Sequence, residues 1–470
     1  MRPLRALALA AIIPALAACA SAGDDYAVPK SAAVNAPAAR APFLASRDRG
    51  VAQEPLPDRW WRLYDDETLN GLVEEALAAN ADLRVAAANL ERAQARAEEA
   101  DRAGGVDVTL SAAAERARMS GEAFLLDSPI PVENLADAGV GVSYEVDVVG
   151  RIRRAAEAAH ADAEASQAGA DLARVTVAAG VARAYVDACS ANEALAVAQR
   201  SVDLAERRQS AAERLAAGGR GTPAEVAKAR AATALAHAAA PQLEARKAAA
   251  LYELAMLTGK PPADFPKAVE SCARPPSLRE PIPIGDGAAL LRRRPDVRQA
   301  ERALAGAVAR VGVAKASLYP TVRLGLSAGS TGLLADLGQP AANRWSVGPL
   351  ISWTLPGAGE HARVRQAEAG SDAALARFDS TVLNALRESE TSLSDYAREL
   401  DQRDDLRRAV QQAQIADDLA QRLHAAGKSP YLDSLDSQRV VTDAQARLAA
   451  ADGKVAADQV AVFLALGGGW

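Results

Sequence analysis

The sequence predicts a mainly α-helical protein with a smaller membrane β-barrel portion, built from one helix-strand-strand-helix-helix repeat that occurs twice. Three observations lead to this fold class: two long stretches without proline, four segments of alternating apolar and polar residues, and the same order of elements in both halves of the chain. The chain has 470 residues, half of them hydrophobic but only 4% aromatic. An alanine-rich composition with many Glu and Arg residues is typical of long helices that pack closely.

The composition also excludes several classes of function. With 54 Lys and Arg against 60 Asp and Glu, the net charge is −6, which argues against nucleic-acid binding. Four His and three Cys leave little from which to build a metal site, so we expect no metal and no other cofactor. Beyond the first 20 positions no run of 18 apolar residues occurs, so no internal membrane-spanning helix is expected.

No sequence motif points to catalysis. Glu145 and Asp147 could pass for a pair of catalytic acids, but they alternate with apolar residues along one predicted strand. That spacing favours a polar face that lines a lumen. The sequence contains no nucleophile elbow and no phosphate-binding glycine loop, so we do not expect an enzyme.

The first residues have the pattern of a targeting segment. A short basic region containing Arg2 and Arg5 precedes an apolar stretch that ends in Leu16-Ala17-Ala18-Cys19. This pattern resembles a bacterial lipoprotein cleavage site, so we expect a signal peptide at residues 1–18 and a lipid on the thiol of Cys19. The alternative is an ordinary secretory signal with an incidental cysteine.

Two further cysteines lie in different contexts. Cys189 falls in a helical apolar pattern, whereas Cys272 falls in a proline-rich loop. An oxidising periplasm would permit a disulfide between them. Because cysteine behaves as a small hydrophobic residue on a packed helix, the sequence favours two unpaired cysteines.

The two halves of the chain can be superimposed by motif. Val140–Tyr144 corresponds to Gly348–Trp353, and the segment ending at Gly218 corresponds to the one ending at Gly427, an offset of 427 − 218 = 209. Since strands and turns recur together with helices, a duplication explains the pattern better than the general likeness of alanine-rich helices. We therefore expect the signal peptide at 1–18, a lipid anchor with a Pro- and Ala-rich tether at 19–60, a first repeat at 61–260, a Pro-rich linker at 261–285 and a second repeat at 286–470.

Each repeat contains one very long proline-free stretch, residues 151–217 and 360–426. A continuous helix of this size would be roughly 100 Å long, far beyond the usual 11–12 residues or so. Such a helix needs lateral packing along its whole length. The alternative is a set of shorter helices broken at Gly169, Gly180 and Gly370.

Four segments alternate strictly between apolar and polar residues. They are residues 106–112, 140–148, 322–328 and 345–355. This period fits membrane β-barrel strands, although a soluble sheet with one buried face has the same period. Four strands are too few to close a barrel, and open edges in lipid are very costly. If the strands cross a membrane, several chains must share the barrel.

Five segments resemble motifs of the TolC-like outer membrane efflux family, in its NodT-type lipoprotein branch. The most recognisable is Leu290-Leu291-Arg292-Arg293-Arg294-Pro295-Asp296-Val297-Arg298-Gln299-Ala300-Glu301. The others are residues 144–151, 312–320, 427–439 and 466–470. The resemblance covers essentially the whole mature chain.

The resemblance implies an exit duct of a tripartite efflux system that passively conducts substrates out of the cell. It implies a homotrimer in the outer membrane lipid, with a twelve-stranded barrel continuous with a long periplasmic α-helical barrel. The implied partners are a periplasmic adaptor and an inner-membrane pump of the proton-driven RND type. Two alternatives remain: a type I protein-secretion duct, and a periplasmic coiled-coil structural lipoprotein. The second accounts for the helices and Cys19 but not for the paired strands.

The resemblance also assigns roles to two helical turns. In the family, such turns meet the adaptor, which here implies contacts at Gly218, Gly219 and Thr222 in the first turn and at Gly427, Lys428 and Ser429 in the second. The alternative is that these residues only reverse the chain. In both turns, glycine supplies conformations that other residues rarely adopt.

The periplasmic gate of the family maps onto Leu432, Asp436 and Arg439. Under threefold symmetry each position becomes a ring of three, in which leucines exclude water and aspartates select against anions. Asp436 and Arg439 are also three residues apart, so an exposed helical ion pair is the alternative interpretation.

Overall fold

The structure is a computed structural model that describes residues 21–122, 125 and 127–468. Its helices are α1 Pro37–Arg40, α2 Glu67–Ala79, α3 Ala81–Arg102, α4 Arg151–Ala217, α5 Pro223–Leu257, α6 Lys267–Glu270, α7 Gly287–Arg293, α8 Pro295–Ala316, α9 Ala358–Ala425 and α10 Tyr431–Ala465. Its strands are β1 Val51–Ala52, β2 Val106–Ala117, β3 Glu133–Val146, β4 Ile282–Pro283, β5 Thr321–Leu333 and β6 Asn343–Ser352.

The contacts within the chain define two compact units, each assembled from separate stretches of sequence. Of the described residues, the first unit comprises those up to Pro29 together with Leu90–Ser166 and Ala300–Phe378. The second comprises Lys30–Asn89, Gln167–Gln299 and the described residues from Asp379 onward.

The first unit contains an antiparallel sheet of four strands in the order β2-β3-β5-β6. The register pairs Val106 with Tyr144, Val142 with Leu326 and Leu326 with Val347. All four predicted strands are therefore confirmed, and the central pair joins one strand from each half of the chain. The edge strands β2 and β6 are exposed along nearly their whole length.

The two long helices run without interruption, as the proline-free stretches predict, and the alternative of shorter broken helices is wrong. Gly169 lies inside α4 without breaking it. A Cβ atom there would come within 3.0 Å of the Gln299 side chain, so the glycine permits a close approach. Within the described part of the chain, no helix is both long enough and apolar enough to cross a membrane.

The core of the second unit is centred on aromatic side chains near the end of α10. Trp60 stacks on Phe463 with ring centroids 4.5 Å apart, and Trp61 packs edge-on against Trp60. Both tryptophans and Phe463 are fully buried, together with Ala182 and Cys189 of α4. Such stacked aromatic groups bury a large apolar area, and they fix the base of both long hairpins in this unit.

A disulfide joins Cys189 to Cys272, with their Cα atoms 5.1 Å apart. The expectation of two unpaired cysteines is therefore wrong. The linker that follows α5 folds back onto α4, where the Asn192 side-chain amide donates to the carbonyls of Glu270 and Cys272 at 3.1 and 2.8 Å. These bonds place the Cys272 thiol beside a cysteine that is fully buried on the helix.

The Pro- and Ala-rich segment before Pro57 is fixed along α9 by carboxylates. The backbone N–H of Ala33 donates to Asp379 at 2.7 Å, and that of Leu44 donates to Glu390 at 2.7 Å. Farther along, Arg49 pairs with Asp404 at 2.5 Å. The segment was expected to be an extended tether, but it contains helical turns at Ala33–Asn35, Pro37–Arg40 and Leu44–Arg47, and it is bound to the helix at three places.

Candidate functional site

The predicted gate residues lie on one side of the first turns of α10. Leu432 packs against a small apolar cluster of Leu204 and Ala211 from α4 and Leu435 from α10. Helix-helix packing therefore sets the position of Leu432, because contact with the cluster removes apolar surface from water, which is favourable in free energy.

Asp436 is held by two arginines. Arg208 of α4 forms an ion pair with the Asp436 carboxylate, and Arg439 lies 4.0 Å from the same oxygen. Arg439 also donates to Asp443 at 3.2 Å. The intrahelical pair expected as the alternative is thus present but long, whereas the contact from α4 connects the two hairpins.

Sequence reasoning did not find Arg208. It stands 228 positions from Asp436, and no local spacing on α4 distinguishes it from its basic neighbour Arg207. The overlay of the two halves relates each helix to its copy and does not indicate which helices touch. A long-range pair of this kind therefore has no signal in a single sequence.

A groove of about 720 Å³ lies beside these residues. Leu204 and Arg208 of α4, Leu235 of α5, and Leu432 and Asp436 of α10 contribute to its walls. The groove brings together an apolar and a charged surface from both hairpins. A change in the spacing of these helices would therefore alter the packing of Leu432 and the pairing of Asp436 at once.

The first turn is a tightly bonded reversal. Gly219 has a φ of 72°, and the N–H of Arg220 donates to the carbonyl of Leu215 at 2.8 Å. Thr222 then caps α5 in a capping box with Glu225, which accepts from the Thr222 N–H at 2.7 Å. That hydrogen bond lowers the pKa of the Glu225 carboxyl, so the cap stays ionised and complete at neutral pH.

The second turn has the same backbone but different side chains. Gly427 has a φ of 69°, and the N–H of Lys428 donates to the carbonyl of Leu423 at 2.9 Å. No side chain caps α10 here, and a ring nitrogen of His424 lies 3.0 Å from the carbonyl oxygen of Ser429 across the turn. Gly219 and Gly427 each lie two residues after the end of a long helix, and both have a positive φ, the backbone conformation that favours glycine. Gly427 therefore corresponds to Gly219, and not to Gly218 as the overlay of the two halves predicts.

The polar face of the sheet carries two clusters of charged side chains. Glu145 accepts from Arg151 at 2.5 Å and from Arg323 at 3.0 Å. Farther along the strands, Asp137 accepts from Arg344 at 2.8 Å. Glu145 of β3 thus pairs with α4 and with the neighbouring strand β5, and Asp137 of β3 pairs with β6 beyond β5. Glu145 is used in structure rather than as one of two free acids.

Cys19 and the expected signal peptide at 1–18 lie outside the described residues, as do Gly469 and Trp470 at the end of the last family motif.

Comparison with known proteins agrees with this architecture. A family model described as "Outer membrane efflux protein" matches residues 72–260 and 288–468. Nodulation protein T of Rhizobium leguminosarum bv. viciae is 28% identical, over 98% of this chain and 93% of its own. The toluene efflux pump outer membrane protein TtgC of Pseudomonas putida is 30% identical, over 92% of this chain and 90% of its own.

A solved structure shares the fold over nearly the whole chain. The outer-membrane channel OprN superimposes with a TM-score of 0.86 at 33% identity, covering 95% of this chain and 99% of that one. The fold and these matches define the class of an outer membrane channel. The chain belongs to the outer membrane efflux protein family, and it is an exit duct of a tripartite efflux system in the outer membrane.

Proposed function

We propose that three copies of the chain form this duct, each supplying four strands to one twelve-stranded barrel. The observation that carries the proposal is the open sheet: β2 and β6 are its edges, and both are exposed. Backbone groups at such edges need partners within a bilayer, and a neighbouring copy offers β6 to β2. Exposed Val106, Val108 and Leu110 then form part of the face toward lipid.

A stripe of exposed apolar side chains on α9 supports the same assembly. Ile415, Leu419 and Leu423 follow each other at intervals of four residues, and each is about half exposed. Residues at this spacing lie on one face of a helix. Because a contiguous exposed apolar surface marks an interaction site, we assign the stripe to contact with another chain of the trimer.

The gate of the proposed duct consists of Leu432, Asp436 and Arg439 from three chains. Arg208 stabilises its closed state. The Arg208–Asp436 pair ties the start of α10 to α4. Replacement of Arg208 by Gln would free Asp436 and favour the open state, so single-channel conductance in planar bilayers should rise severalfold. The control is Arg207→Gln on the adjacent position. Equal conductance of both variants and the native protein would show that Arg208 does not hold the gate closed.

The tips of the duct are the two turns, which contact a periplasmic adaptor through Gly218, Gly219 and Thr222 and through Gly427, Lys428 and Ser429. Their support is the well-defined backbone of both turns. The adaptor connects the duct to an inner-membrane pump of the RND type. Because the pump selects the substrate, the duct itself conducts passively and performs no chemical turnover.

The proposal includes a lipid on Cys19 and a duplicated chain. A single acyl group gives only marginal membrane binding. The lipid therefore adds to the membrane attachment that the barrel provides. The two matched segments, 72–260 and 288–468, support two repeats separated by a linker.

The mass and location of the native particle test the assembly. Outer membranes are isolated and extracted in a mild detergent, and the protein mass is measured by light scattering with the detergent subtracted. We expect a particle of three chains. A monomer or dimer released from membranes by removal of the lipid anchor would contradict the shared barrel.

A further inference from the structure

A cavity of about 470 Å³ lies within the second unit, away from the gate. Its walls come from α4, from the linker segment Arg274–Leu278, and from α9 and α10. The volume is within the usual range of small-molecule sites. Neither the duct function nor the proposed gate makes use of it.

The charges that line the cavity are mainly positive. Four arginines, Arg200, Arg274, Arg403 and Arg407, face two carboxylates, Glu193 and Asp452. The ion pairs between them are long: Arg274 lies 3.5 Å from Glu193, and Arg407 lies 3.8 Å from Asp452. Burial raises the pKa of both carboxyls. Arg403 and Arg407 also pair with Asp404, at 3.3 and 3.7 Å. Because these contacts are long as well, the guanidinium groups retain donors for a further anion.

Three polar atoms of the lining have no hydrogen-bond partner among the described residues. They are Nε of Arg403, Oε2 of Glu193 and Oε1 of Gln459. Gln459 is only 3% exposed, and its amide nitrogen is already engaged with the Tyr396 hydroxyl at 3.3 Å. Buried polar atoms without partners are costly. A ligand that offers one acceptor group and one hydroxyl would satisfy the Arg403 nitrogen and one of the two oxygens.

The linker wall of the cavity is fixed in advance. Cys272 is bonded to Cys189 on α4, and its carbonyl accepts from Asn192 at 2.8 Å. Arg274 follows two residues later. A wall held in this way loses little conformational entropy when a ligand binds.

We propose that this cavity binds a small hydroxycarboxylate. A carboxylate group would accept hydrogen bonds from Arg403 and Arg407, while a hydroxyl group would donate to Gln459 or Glu193. The arginines explain why the ligand is an anion, and the two unfilled acceptors explain why a hydroxyl accompanies the carboxylate. All walls of this site belong to one unit of a single chain, and none of the proposed gate residues lines it.

Isothermal titration of the detergent-purified full chain with citrate tests the proposal, at constant ionic strength. We expect saturable binding with a dissociation constant below about 1 mM. Two matched probes separate the ligand features: tricarballylate keeps the three carboxylates but lacks the hydroxyl, and trimethyl citrate keeps the hydroxyl but lacks the charges. Tricarballylate should bind several times more weakly than citrate, and the ester should show no binding.

Variants locate the site on the chain. Arg403→Gln should weaken citrate binding at least tenfold. Arg200 is exposed at the rim of the cavity, so Arg200→Gln should weaken binding less and should leave the fold intact. Arg408→Gln is the control, because Arg408 neighbours Arg407 but pairs with Asp405 and does not line the cavity. The absence of citrate binding, or equal affinity in the native protein and all three variants, would overturn the proposal.

Discussion

The two helical hairpins are nearly equal in length but differ in how much of the returning helix is buried. α4 and α9 have 67 and 68 residues, and α5 and α10 have 35 each. Buried residues occur along most of α10, from Ser434 to Ala465. Among the described residues of α5, Thr233 is the single buried one before Ala250. The outer half of α5 contacts α4 through the pairs Arg230–Glu213 and His237–Glu206, but within one chain it is covered much less than α10.

This difference teaches that duplicated sequence need not give duplicated packing. A returning helix needs a neighbour to cover its apolar residues. α10 finds that neighbour within its own chain, where Leu435 packs on Leu204. α5 leaves Leu235 exposed at 74%. In the proposed trimer the missing surface is supplied by a second chain.

The largest effect is expected when a charge is placed on the uncovered helix. Leu235→Arg would bury an unpaired guanidinium if another chain covers α5, at a cost of several kcal/mol. We expect the trimer to be lost, as measured by light scattering in detergent. Leu44→Arg is the control, because Leu44 is 90% exposed and lies on the N-terminal segment that runs alongside α9. An intact Leu235→Arg trimer would mean that this part of α5 faces water in the assembly.

A leucine on the second hairpin, Leu435 of α10, should contribute to stability through packing within one chain. Leu435 is 1% exposed, so Leu435→Ala leaves a cavity and should destabilise the second hairpin by about 2–5 kcal/mol. The measurement is the temperature at which helical circular dichroism is lost. Leu383→Ala on α9 is the matched control for residue size, because Leu383 is 59% exposed, and it should lower this temperature less than Leu435→Ala does. A larger loss for Leu383→Ala would contradict the assignment of Leu435 to the packed face.

The comparison also separates what the sequence can predict from what it cannot. The long helices were predicted to within two residues because proline and glycine mark their ends locally. The strands were predicted because alternation is a local pattern. The Arg208–Asp436 pair, the Cys189–Cys272 bond and the attachment of Leu44 to Glu390 join distant positions. Such contacts depend on which helices become neighbours, and one sequence contains no record of that.

The bases of the hairpins are held by different chemistry. In the first, the disulfide ties α4 to the linker after α5. In the second, Arg294 donates to the carbonyl of Ala465 at 2.8 Å and pairs with Glu388 of α9 at 2.9 Å. A covalent bond can be removed under reducing conditions, whereas the arginine contacts cannot.

The double variant Cys189→Ala/Cys272→Ser should therefore loosen the first hairpin alone. Disulfides of this kind contribute about 2–4 kcal/mol, and the loss should appear as faster hydrogen exchange of the linker after α5 and the facing part of α4. Exchange near Ala465 should be unchanged. Treatment of the native protein with a reductant should reproduce the result, and equal exchange before and after reduction would show that the linker is held by Asn192 without the bond.

The smallest effect is expected at the tips, where the two turns share a backbone but not a cap. Thr222 and Glu225 form a capping box at the first turn, whereas Pro430, which precedes α10, provides no side-chain cap. Thr222→Ala removes the hydroxyl that accepts from the Glu225 N–H at 3.3 Å. The amides at the start of α5 should exchange roughly fivefold faster, the effect of a typical lost cap.

Thr222→Ser is the matched control, since it keeps the hydroxyl and should exchange as the native protein does. The second turn should be unaffected in both variants, because Gly427 and its neighbours share no hydrogen bond with Thr222. If Thr222→Ala weakens adaptor binding and Thr222→Ser does not, the ordered cap of the first turn is part of the docking surface. If exchange quickens while adaptor binding stays constant, the cap serves only to begin the helix, and recognition at this tip depends on the glycine backbone that the two turns have in common.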